Sequence, residues 1–324
     1  MGARAVLEPG NKAMRFVDKS SMRLGVVLSA GDLRGVFAHT GFLLALEEFG
    51  LSYQAMAGCS AGAIVAAIVS SGTPVREFAE WLKGLTVAHY WQRDSLFRIL
   101  YNVILRSGRG YTGIVSTDRL ERTIAGLLKA KTFESCPVPL YLVATNLTKG
   151  IKEVFHAGEI APRAVASAAI PALFKAKQIG ESYYVDGGVF EITPRSAVCC
   201  KEELDLLIVN RIGAGPDRLK EDNRFLEEPW SLVQVAARVL NATYEINEAA
   251  EKTETASCPC GCKVRILTLA PRISFVHRLD PGRGPGLIRE GYEETLRLLP
   301  PLMNRLSDPP TERKERKTDA GQCE

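Results

Sequence analysis

No uninterrupted apolar run in this chain approaches the roughly 20 residues a helix needs to cross a bilayer; the longest, such as 63–69, fall well short. Cysteine is sparse as well. Eight in 324 residues cannot be the framework of a disulfide scaffold. Charge of one sign is lacking too, because 41 Lys and Arg against 37 Asp and Glu leave only +4, too little to imply nucleic acid. No nucleic-acid partner is expected. Positions 1–22 hold no apolar core of a secretory signal, Val6 stands where a myristoylation signal wants Ser or Thr, and Gln322-Cys323-Glu324 is not a prenylation box. The expected address is therefore the cytoplasm, with peripheral membrane contact as its one expected link to lipid surfaces.

What is present, 46% apolar and 24% charged residues, suits a globular chain with a large core. Polar tails are expected over 1–22 and 307–324, flanking one domain over 23–306. Short β-branched runs alternate there with helix-period segments, the pattern of an α/β protein with a largely parallel sheet. Strands are expected at 23–29, 53–58, 140–145, 183–185, 204–209 and 264–269. Helices are expected at 36–49, 63–70, 118–128, 230–255 and 291–306, the first of them stopped by Gly50.

Gly58-Cys59-Ser60-Ala61-Gly62 fits G-x-S-x-G, in which a serine sits on a sharp strand-to-helix turn and flanking glycines remove side chains that would collide. The expected strand before it and helix after it supply the context that the motif requires. The earlier loop Ser29-Ala30-Gly31-Asp32-Leu33-Arg34-Gly35 also joins a strand to a helix start. Free backbone N–H groups there favour an anion, either a phosphate or the oxyanion of a tetrahedral intermediate. The loop fits neither G-x-x-x-x-G-K-[ST] nor G-x-G-x-x-G, so nucleotide binding is the weaker reading.

A serine nucleophile needs a base, and the chain has four histidines. His39 reads as a packing or capping residue, and His89, His156 and His277 have no persuasive setting. Asp186 instead ends an aromatic and β-branched run, Tyr183-Tyr184-Val185-Asp186-Gly187-Gly188, just before two glycines that let the backbone turn.

These residues resemble the patatin-like phospholipase family from Leu24 to about Pro194. The glycine loop with Arg34, the helix ending Leu46-Glu47-Glu48, the 58–62 elbow, Ala166-Ser167-Ala168-Ala169-Ile170-Pro171 and Asp186-Gly187-Gly188 occur in the family's order. The resemblance implies a patatin-like three-layer α/β/α fold with a mostly parallel central sheet, and a serine esterase acting on lipid or phospholipid esters without cofactor or metal. It implies Ser60 as nucleophile, Asp186 as base, and the N–H groups of Gly31 and Asp32 as oxyanion donors beside Arg34. Gly35, Gly58, Gly62, Gly187 and Gly188 support the loop and the elbow. Where the family usually has three successive glycines, this chain has Ala30, Gly31 and Asp32, and a carboxylate close to an oxyanion opposes it.

An aspartate with an ordinary pKa of about 3.9 is a feeble base for an alcohol, so the site is expected to desolvate it. Two rival readings stay open. One is an α/β-hydrolase triad of Ser60, Asp186 and His277, in the chain order Ser, Asp, His; the other is a catalytically silent lipid-binding or scaffold protein. Between Trp91 and Tyr111, Arg93, Arg98, Arg106 and Arg109 interleave with apolar residues, which suits either a basic amphipathic cap or an ordinary packed helix. Cys258-Pro259-Cys260-Gly261-Cys262 lacks the C-x-x-C spacing of a zinc half-site, and an exposed loop is expected. Acyl transfer to an acceptor other than water stays open as well, and lipid class, positional preference, oligomeric state and any activating partner are not legible.

Overall fold

Leu24-Gly25-Val26-Val27-Leu28 carries no polar side chain, as a strand covered on both faces requires, and every residue of this first strand, β1 (Leu24–Leu28), is buried. The computed structural model describes residues 22–92, 112–199, 201–212, 255–257, 264–277 and 279–305. After β1 come α1 (Asp32–Glu48), β2 (Ala55–Cys59), α2 (Ala61–Ser70) and α3 (Val75–Lys83). The middle of the chain forms β3 (Gly113–Val115), α4 (Asp118–Leu127), β4 (Leu140–Asn146), β5 (Ile151–Phe155), α5 (Ile160–Ala168), β6 (Ala172–Phe174), β7 (Lys177–Ile179) and β8 (Ser182–Asp186). The last part supplies α6 (Ser196–Cys199), β9 (Leu206–Asn210), β10 (Thr255–Ser257), β11 (Arg265–Leu269) and α7 (Gly284–Arg305).

The central sheet runs in the order β10-β11-β9-β1-β2-β4-β8-β7, with β5 also paired to β4. β11, β9, β1, β2 and β4 are mutually parallel, and antiparallel partners close both flanks. This is the expected α/β class, with a mixed, mostly parallel sheet. Because side chains alternate across a strand, Val26, Leu28, Met56, Leu142 and Ile208 join the core under α1, α2 and α5. Val27, Ala57, Val143, Leu207 and Val209 face the other way, against Ala197 and Val198 of α6. All five parallel strands end on one edge, where ligand sites of open α/β sheets gather.

Several elements differ from the sequence expectation. α1 begins at Asp32, four residues before the expected 36, and α7 begins at Gly284 rather than 291. Both starts are glycine-rich, which reads as loop in one dimension. In three dimensions the glycines allow the helices to touch. A Cβ on Gly41 would lie 2.0 Å from the Ile288 carbonyl oxygen, and one on Gly291 would lie 2.4 Å from that of Ala38. α3 and α5 were not expected at all. The helix expected over 230–255 lies outside the described residues except at its end, where Thr255 opens β10.

Candidate active site

Ser60 sits between β2 and α2 with φ 54 and ψ −117, a left-handed backbone that costs a non-glycine residue roughly 1–3 kcal/mol. It is 5% exposed. The two flanking glycines make the turn sterically possible, since a Cβ on Gly58 would lie 2.5 Å from the Gly62 carbonyl oxygen, and one on Gly62 would lie 2.2 Å from that of Leu28. The Gly62 N–H donates to the Ser29 carbonyl at 3.2 Å, which ties the elbow to the end of β1. The Ser60 N–H donates to Ser167 Oγ at 3.0 Å, and that hydroxyl donates to the Val143 carbonyl at 2.6 Å.

Asp186, the last residue of β8, is 0% exposed. Its Oδ1 accepts the Gly188 N–H at 2.8 Å, its N–H donates to the Ala169 carbonyl at 2.9 Å, and its carbonyl accepts the Thr145 hydroxyl at 2.8 Å. Gly187 must be glycine, because a Cβ there would lie 2.2 Å from the Val143 carbonyl oxygen and 3.1 Å from Cys59 Sγ. Register relates the two candidate residues. Cys59 pairs with Val143 and Asp186 pairs with Ala144, so the ends of β2 and β8 flank neighbouring residues of β4 from its two sides.

The loop before α1 lies beside this edge. A Cβ on Gly31 would lie 2.8 Å from Gly35 Cα, and one on Gly35 would lie 2.9 Å from the Ala61 Cβ, so Gly31 lets the loop fold on itself and Gly35 lets it approach the elbow. Asp32 has φ 55, is half-buried, and accepts the Leu33 N–H on Oδ1 at 2.8 Å. Arg34 is only 5% exposed. Tyr90 is buried near the same loop, and its hydroxyl is pushed up to about 12 by burial and then by the charges of Asp32 and Asp280.

The hydrogen bonds of the histidines go to groups other than Ser60. His39 is the eighth residue of α1 and 0% exposed. It donates from Nε2 to the Ser29 carbonyl at 2.8 Å, and Nδ1 accepts from Asn210 Nδ2 at 3.0 Å. Because an amide nitrogen can only donate, Nε2 carries the proton. Burial lowers this imidazole to about 4, against the opposing effect of the Ser29 bond. His277 is exposed after β11, where its Nδ1 accepts the Leu279 N–H at 3.2 Å. His89 is half-buried with its ring against Trp81, and His156 is exposed.

Ser60 opens onto a cavity of about 100 Å3 whose lining includes Asp32, Ile64, Ile68, Tyr90 and Ile170 but no histidine. Sequence reasoning missed this cavity, because its walls come from five helices, α1 to α5, spread along the chain. It also left Ser167 and Asn210 without roles. The arginines at 93, 98, 106 and 109 and the cysteines at 200, 258, 260 and 262 lie outside the described residues. Among the described residues, no three His, Cys, Asp or Glu are grouped to hold a metal, and no helix is long and apolar enough to cross a membrane.

An α/β sheet with a sharply turned serine at the carboxyl ends of its parallel strands defines the class of elbow-bearing α/β proteins. Within that class the chain belongs to the patatin-like phospholipase family, whose model matches residues 26–198. An uncharacterised NTE family protein of Mycobacterium tuberculosis is 30% identical over 217 residues, covering 66% of this chain and 57% of the relative. The lysophospholipase NTE1 of Cryptococcus neoformans is 28% identical over 200 residues, 62% of this chain and 12% of that much longer protein. The chain thus spans little more than half of the mycobacterial relative and a small part of the fungal one. Among solved structures, VipD from Legionella pneumophila aligns at a TM-score of 0.44 and 18% identity, covering 86% of this chain and 66% of its own.

Proposed function

We propose that the chain is a lipid acyl hydrolase, a phospholipase A or lysophospholipase-like esterase, working through a Ser60 acyl-enzyme with Asp186 as the only base. Ser60 Oγ attacks the ester carbonyl while Asp186 takes its proton; the carboxyl then returns that proton to the departing alcohol. In the second half, Asp186 takes a proton from the attacking water, the hydroxide adds to the acyl carbon, and the carboxyl returns the proton to Ser60 Oγ as the acid leaves. The N–H groups of Gly31 and Asp32, with Arg34 nearby, stabilise the oxyanion at each tetrahedral stage. Removing one such donor costs about 2.7–4 kcal/mol.

The observation that carries this reading is the backbone of Ser60, left-handed and buried in the wall of an apolar cavity. A serine held there serves no packing purpose, and strain of this kind concentrates where function requires it. Full burial of Asp186 supplies the desolvation that an aspartate needs to act on an alcohol. Family membership and the named activity of the fungal relative support the substrate class. The substrate is accordingly a lipid or phospholipid ester. A fluorophosphonate should label Ser60, located by peptide mass spectrometry, and Ser60→Ala and Asp186→Asn should each abolish acyl-ester hydrolysis while keeping the native circular dichroism spectrum. Substantial hydrolysis by either variant overturns the dyad, and an unlabelled Ser60 favours a silent binding protein.

A further inference from the structure

The surface of the cavity at Ser60 is almost wholly apolar. Its polar side chains are Ser60, Asp32, Tyr90, the indoles of Trp81 and Trp91, and Thr123, whose hydroxyl already donates to the His89 carbonyl at 2.6 Å. A polar headgroup would find few partners on that surface, whereas an alkyl chain needs none. One wall is α2 itself. Ile64 and Ile68 line the cavity at one and two turns beyond Ser60, on the same face of the helix. The opposite wall is α4, from which Leu120, Ile124 and Leu127 face inward.

The far end can be located independently. The Thr73 hydroxyl, in the turn that follows α2, donates to the Leu127 carbonyl at 2.7 Å, so the carboxyl end of α4 sits against the carboxyl end of α2. Phe78, 1% exposed and in the helix that starts just after that turn, completes the closure. Ile68, Phe78 and Leu127 thus form an end wall. Eight residues of helix rise place Ile68 about 12 Å from Ser60, and an extended alkyl chain with ordinary carbon–carbon bonds advances about 1.3 Å per carbon.

From this geometry we infer that α2 acts as a ruler for the acyl group: the site takes one saturated chain lengthwise, and the end wall sets a ceiling at about eight to ten carbons. The inference rests on the hydrolase reading for what is cleaved, but the ruler itself concerns binding and is tested without turnover. Saturated fatty acids from hexanoate to hexadecanoate, each below its critical micelle concentration, are titrated calorimetrically into the Ser60→Ala chain. Affinity should rise about fourfold for each added carbon, as for a fully buried methylene, and should flatten at about eight to ten carbons. In the Ser60→Ala/Leu127→Ala chain the break should move one or two carbons longer, while the slope below it stays the same. Affinity that ignores chain length, or that climbs unbroken to hexadecanoate, overturns the ruler. The predicted break in a native chain that cleaves no ester and resists fluorophosphonate would uphold the ruler and reject the hydrolase reading.

Discussion

The hydroxyl of Ser167 accepts the backbone N–H of Ser60 at 3.0 Å from 107 positions away in sequence. Two residues later, Ala169 accepts the N–H of Asp186 at 2.9 Å. The end of α5 therefore holds the backbones of both proposed dyad members, from opposite sides of β4. Ser167 is a positioning residue in this arrangement, since its own hydrogen is engaged by the Val143 carbonyl.

Ser167→Ala should leave the buried Ser60 N–H and the Val143 carbonyl each short of a partner. An unsatisfied buried group costs about 1–3 kcal/mol, so the urea midpoint should fall correspondingly, and kcat should drop at least tenfold as the elbow loses its hold. A variant with native stability and native kcat would show that the Ser167 bridge is dispensable.

His39 predicts an acid sensitivity confined to a definite window. Folded, its imidazole titrates at about 4 because it is buried; unfolded, it takes a proton near 6.5. Between those values the unfolded chain binds more protons, so stability is complete above about pH 6.5 and declines as pH falls toward 4, by about 3 kcal/mol at most. Denaturation midpoints measured across this range should lose that slope in His39→Gln, whose amide can still donate to the Ser29 carbonyl. An unchanged slope would assign the acid sensitivity to other groups.

His277→Ala separates the dyad from the triad. The residue is exposed and its Nδ1 accepts a local backbone N–H, so ester hydrolysis should stay within twofold of the parent chain. A fall of a hundredfold or more with retained folding would require a histidine base and overturn the imidazole-free mechanism.

Asp32 carries a negative charge on the loop proposed to stabilise an oxyanion. Asparagine tolerates the same left-handed backbone and keeps an oxygen able to accept the Leu33 N–H, so Asp32→Asn should fold normally. Relief of the opposing charge should raise kcat about threefold to tenfold, with the larger gain at low ionic strength. A decrease would mean that the carboxylate supports the loop more than it opposes the oxyanion.

The strands were legible because burial on both faces demands runs such as Leu24-Gly25-Val26-Val27-Leu28, which no amphipathic helix would carry. The elbow was legible for a steric reason as well, since only glycine fits at 58 and 62 within 2.5 Å of backbone atoms. α3 was missed although its apolar face is well formed, because nine residues between Pro74 and Gly84 resemble punctuation more than a helix. The start of α7 was hidden by Gly284, which is needed where a Cβ would lie 2.2 Å from the Phe37 ring. That contact spans the fold, and no local pattern encodes it.

Sequence by itself determined the alternation of buried strands and helices, the turn that carries Ser60, and Asp186 as the carboxylate at a strand end, because each depends on neighbours a few positions away. Only the tertiary structure decided that the ends of β2 and β8 flank β4, that Ser167 bridges to the elbow, that Arg34 is buried, and that residues of five helices line an apolar cavity. Those outcomes depend on strand order and helix packing, which bring together side chains that the chain itself keeps tens of residues apart.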